Sequence, residues 1–157
     1  MRQEINDSLK TAMREQDRRR MATLRLINAA IKDRDIAVRS TGKDDLVSDD
    51  DIRQILQKMI KQREESAKIY EEAGRIELVE QETQESEIIR SFLPRQLSED
   101  EIRSACVDVV EDLEGTCVRD MGKCMNALKE RYPGQMDFGR ASGVVKDLLC
   151  SRSAVQG

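Results

Sequence analysis

Apolar residues recur along this chain at intervals of three and four, the spacing of amphipathic helices. Ile5, Leu9, Ala12 and Met13 predict a first helix over about residues 2 to 15. Asp17 is placed to cap a second that runs to about Val38, with Met21, Leu24, Ile27 and Ile31 on its inner stripe. Arg39 to Val47 reads as a polar, mobile connection around Gly42. Ser48 then caps a third helix. Asp49, Asp50 and Asp51 set negative charge against its positive end, and Val47 and Ile52 hold the spacing of a hydrophobic staple. Its stripe is Ile52, Ile55, Leu56, Met59, Ile60, Ala67 and Tyr70, after which Gly74 is the expected C′ glycine. A fourth helix, Arg75 through Leu93, returns along the third as an antiparallel hairpin.

Pro94 divides the chain. It lacks an N–H and pushes Leu93 out of the α region, so the fourth helix must stop there. Ser98 and Glu101 have capping-box spacing, and Leu97 and Ile102 that of a staple, so another helix starts at once. Its stripe is Ile102, Ala105, Cys106, Val109, Val110 and Leu113, before Gly115. Two short helices follow, marked by Met121, Cys124, Met125 and Leu128 and, after Tyr132-Pro133-Gly134, by Ala141, Val144, Val145, Leu148 and Leu149. The expectation is an all-α protein. A four-helix N-terminal domain over residues 1–94 precedes a three-helix domain over 95–150, and 151–157 form a frayed tail.

Composition agrees. Of 157 residues 37% are charged and only two are Pro, which favours long amphipathic helices. No apolar run approaches the roughly 20 residues of a membrane span, and the start resembles no signal peptide, so a soluble cytoplasmic protein is expected. Net charge is −4, and splitting at Pro94 leaves −2 on each side. Neither half is a basic module, so any polyanion contact must be a local patch with salt-dependent affinity.

The chain has no histidine, which removes Ser-His-Asp triads, Cys-His pairs and His-bearing metal sites. None of Cys106, Cys117, Cys124 and Cys150 forms Cys-x-x-Cys; Cys106 and Cys124 fall on apolar faces and read as core, with metal or redox work the alternative. Asp49 to Asp51 read as a helix start before a cation site. Arg18, Arg25 and Lys32 lie seven apart, either as a solvated flank or as a phosphate-facing edge. Arg63 interrupts the third helix's apolar stripe. It either pairs with an inward carboxylate, Glu82 in preference to Glu85, or binds a ligand.

Several blocks, in order, resemble the GatB/YqeY family over nearly the whole chain. They are Leu24-Arg25-Leu26-Ile27-Asn28-Ala29-Ala30-Ile31-Lys32, Gln57-Lys58-Met59-Ile60-Lys61-Gln62-Arg63-Glu64-Glu65-Ser66, Phe92-Leu93-Pro94-Arg95-Gln96-Leu97-Ser98, Asp120-Met121-Gly122-Lys123-Cys124-Met125 and Gly139-Arg140-Ala141-Ser142-Gly143. Cys124 stands where an aliphatic residue is expected, and Ser142 where many members carry Asp. The resemblance implies a helical N-terminal domain and a tail similar to the C-terminal region of the B subunit of glutamine-dependent Asp/Glu-tRNA amidotransferase, where it contacts tRNA. The family label is carbon-nitrogen ligase with glutamine as amide donor. In that enzyme glutamine hydrolysis lies on another subunit and ATP-dependent activation in a B-subunit region this chain lacks.

The leading expectation is therefore a non-catalytic helical module associated with tRNA or with a tRNA-amidotransferase pathway protein. Lys123, Arg140 and Lys146 would contact phosphates, with Arg18, Arg25, Lys58 and Lys61 as a second patch. No catalytic residue, cofactor, metal, membrane or DNA partner is expected. A protein-interaction adaptor presenting the hairpin is the alternative, and an enzyme working with Arg, Lys and carboxylates ranks third.

Overall fold

A computed structural model describes residues 1–42 and 46–156. Among the described residues there are seven α-helices, one 3-10 turn and no strand. The chain forms two compact units, Met1–Pro94 and Arg95–Gly157.

The first unit holds α1 (Arg2–Glu15), α2 (Arg18–Ser40), α3 (Asp49–Glu72) and α4 (Ile76–Arg90). The Asp17 side chain accepts from the Arg20 N–H at the head of α2. Ser48 and Asp51 close a reciprocal capping box on α3, so two backbone donors that lack intrahelical partners are satisfied. Gly74 turns the chain at φ +71°, a conformation that a side chain would strain, and α4 packs back along α3. Ile5, Leu24, Ile27, Ile52, Leu56 and Ile89 are fully buried in one core, each worth about 1.5–3 kcal/mol.

Two boundaries differ from the pattern's expectation. Helix α2 continues to Ser40, and its end leads toward a buried Val47 rather than into wholly polar loop; Lys43 to Asp45 of that connection lie outside the described residues. Helix α4 stops at Arg90, not Leu93. Phe92 and Leu93 take up tighter three-residue backbone bonds to Ile89 and Arg90, and the Ser91 hydroxyl donates to the Ile88 carbonyl, which closes the helix before Pro94.

The second unit holds α5 (Glu99–Asp112), a 3-10 turn (Val118–Asp120), α6 (Met121–Arg131) and α7 (Phe138–Gln156). Ser98 and Glu101 make the capping box expected of them. Cys106, Val109, Cys124, Leu128, Ala141, Val145 and Leu149 are fully buried in its core. Gly115 sits where α5 meets α7: a Cβ there would lie 2.9 Å from Leu149 Cδ2.

The tail expected to fray from Ser151 is instead helical to Gln156. Arg152 donates to the Gly115 carbonyl at 3.2 Å and faces Glu111 at 3.9 Å, so the last turns of α7 are tied to α5 and to the loop that follows it.

Candidate nucleic-acid interface

The seven cations singled out in the sequence all lie on exposed positions: Arg18 and Arg25 on α2, Lys58 and Lys61 on α3, Lys123 on α6, Arg140 and Lys146 on α7. Their surroundings differ. Arg140 Nη1 lies 3.0 Å from Glu99, at the start of α5, and Lys123 Nζ lies 3.9 Å from Asp120. Both side chains remain more than 60% exposed, so these pairs contribute little to stability and can exchange a carboxylate for another anion cheaply. Lys146 has no carboxylate partner among the described residues. Arg140 and Lys146 are six positions apart, which places them about 120° apart around α7. They flank its outer face and do not form a single stripe.

Asp120 is committed to the backbone. It accepts from the Thr116 N–H at 2.9 Å and the Cys117 N–H at 3.3 Å, and these two bonds, with Lys123 adding to them, hold its carboxyl below the usual range. Burial pushes the Cys106 thiol up to about 11, with Cys124 nearby, and burial also raises Cys124. Both behave as core residues with little thiolate. Among the described residues no three Cys, Asp or Glu side chains converge to hold a metal ion.

Arg63 points into the hairpin, as its place on the stripe predicts, yet its partner is not the Glu82 preferred from the pattern. Arg63 Nε lies 3.2 Å from Glu85 Oε2, and the two side chains are 14% and 12% exposed. Register explains the correction: Arg63 and Glu85 each stand eleven residues from Gly74, so an antiparallel return with even arms brings them level. Gln81 donates to the other Glu85 oxygen at 3.2 Å. Glu82 sits beside the pair; burial, and then the Glu85 charge, raise its pKa, while Arg63 pulls it back.

One buried polar centre escaped the sequence reading. Asp35 accepts two hydrogen bonds from Arg2, at 3.0 and 2.6 Å, and one from the Val47 N–H at 3.0 Å. Those from Arg2 come first among the causes that hold its pKa down. The residue ties the start of α1 and the approach to α3 to α2. Its signal was present, because Asp35 is the next position of the Leu24, Ile27, Ile31 stripe.

Residues 2–149 match the family described as Yqey-like protein. The chain belongs to the Yqey-like family. Among curated proteins none matches it significantly. In this Yqey-like chain the block from Gln57 to Ser66 lies on α3 and carries the buried Arg63, and the Asp120 block opens α6 with the carboxylate that caps the preceding turn.

Proposed function

We propose that this chain is a non-catalytic helical module of the kind found at the tail of the amidotransferase B subunit, and that its C-terminal unit contacts tRNA through phosphates in the cytoplasm. The observation that carries the reading is the segregation of charge in that unit. From Met121 to Gln156 there are six Lys and Arg against three Asp and Glu, whereas residues 95–120 carry three against eight. The cations thus collect on α6 and α7 and the acids on and around α5. Lys123, Arg140 and Lys146 are outward, and Arg140 and Lys123 hold only exposed, weak carboxylate partners. Such a surface fits backbone recognition with modest affinity and no base readout. The test is a titration of unmodified tRNA into the wild type and a Lys123→Ala/Arg140→Ala/Lys146→Ala variant, at low and physiological salt, with helicity checked by circular dichroism. Weaker binding with a shallower salt dependence supports the reading; equal binding removes this surface from it.

A second reading, the protein adaptor, is favoured by Ile69 and Ile76, which stand exposed on either side of the Gly74 turn. Absence of tRNA binding even at low salt would move the balance to it.

A further inference from the structure

We propose that α2 carries a second RNA-backbone surface, in the N-terminal unit, that acts independently of α6 and α7; this rests on the RNA-binding reading above. Helix α2 holds seven Lys and Arg against two Asp in a chain of net charge −4. One of those two acids, Asp35, is turned inward to Arg2. Arg18, Arg25, Lys32 and Arg39 follow one another at seven-residue intervals and are all exposed. That spacing sets a cation about every 10 Å along a line of about 31 Å, with only a slow drift around the helix.

Most arginines elsewhere in the chain have an acidic partner, among them Arg53, Arg63, Arg90, Arg131 and Arg140. Among the described residues Arg18, Arg25 and Lys32 have none. The positions three and four beyond Arg18 and Arg25 are Met21, Ala22, Asn28 and Ala29, so no helical neighbour neutralises them. Ala22 and Ala29 are exposed, which leaves low ground between the cations where a polymer backbone can lie.

The head of α2 is also rich in cations. Its first turn contains Arg18, Arg19 and Arg20 and no acid, against the polarity of the helix dipole, whereas α3 and α5 each place three acids there. The Asp17 carboxylate at the N-cap offsets part of that charge, and Arg19 and Arg20 donate to Gln84 and to the Ser8 hydroxyl, which leaves Arg18 as the outward cation of this turn. A planar membrane surface fits less well than RNA, because the apolar face of α2, Leu24, Ile27 and Ile31, is buried in the core and cannot insert.

The experiment measures the salt dependence of unfractionated tRNA binding by the full chain, by an Arg18→Gln/Arg25→Gln/Lys32→Gln variant, and by a Lys123→Gln/Arg140→Gln/Lys146→Gln variant. Binding to phosphatidylserine vesicles runs in parallel. Loss of three phosphate contacts should lower the slope of log affinity against log salt by about two to three units in the α2 variant, with helicity unchanged. Loss confined to the α2 variant upholds this surface and removes the α6–α7 one; loss confined to the other variant overturns this surface alone. Wild type that fails to bind at low salt overturns both. Vesicle binding that the α2 substitutions abolish while tRNA binding survives overturns the RNA assignment.

Discussion

Replacing Arg63 with alanine should cost about 2–3 kcal/mol of stability at pH 7. Breaking a buried ion pair by removing one partner costs about 3–5 kcal/mol, because the other charge stays desolvated. Here the figure is lower for two reasons: the contact is a single bond from Nε at 3.2 Å, and Glu85 keeps its bond from Gln81. Glu82 supplies a pH signature. Its folded pKa lies above the unfolded value of 4.5, so the native state binds that proton more readily than the unfolded chain. The stability tied to that proton is present at low pH and is lost as pH rises through the folded pKa. Arg63 is the influence that lowers that pKa, so its removal raises it further and enlarges the loss at neutral pH. Urea unfolding at pH 7 and pH 5 measures both effects. The alanine variant should be closer to wild type at pH 5, and Glu85→Gln in the same background should recover part of the loss at pH 7. A change below about 0.5 kcal/mol, typical of surface substitutions, or a loss as large at pH 5 as at pH 7, would refute the reasoning.

Other expectations follow from single sites. Gly115→Ala should destabilise by about 1–3 kcal/mol in thermal unfolding, because the new methyl meets Leu149 Cδ2 and that side chain must shift within a filled core. Asp35 contributes stability above its unfolded pKa of 3.8 that is lost as pH falls through its lower folded value; Asp35→Asn should therefore flatten the acid limb of a stability-against-pH curve. Iodoacetamide at pH 8 should modify exposed Cys150 first and leave Cys106 and Cys124 intact until denaturant is added, as mass spectrometry of the digested protein would read.

What could be read from the residues was local. Ser48, Asp17 and Ser98 cap as their spacing requires because the bonds they make span three residues, and Pro94 and Gly74 act through their own backbone. The partner of Arg63 depended on the register between two helices, where Glu82 and Glu85 compete and a shift of one turn decides. Arg2 and Asp35 are 33 positions apart, and no periodicity within one helix joins them. The end of α7 was lost for the same reason: Ser151 to Gln156 looks like a polar tail until Arg152 is seen against Gly115. The cations of α6 and α7 were legible as residues but their carboxylate neighbours were not equally so. The Lys123–Asp120 pair spans three positions and was open to view, whereas Glu99 reaches Arg140 only in the folded unit.

The most direct test of the account is to record backbone amide resonances of the isotope-labelled full chain while unmodified tRNA is added at low salt. The account predicts shifts concentrated at Lys123, Arg140 and Lys146 on α6 and α7, and along Arg18, Arg25 and Lys32 on α2, that fade as salt is raised. Shifts confined to the Gly74 turn between Ile69 and Ile76, or no shift at any position, would contradict it.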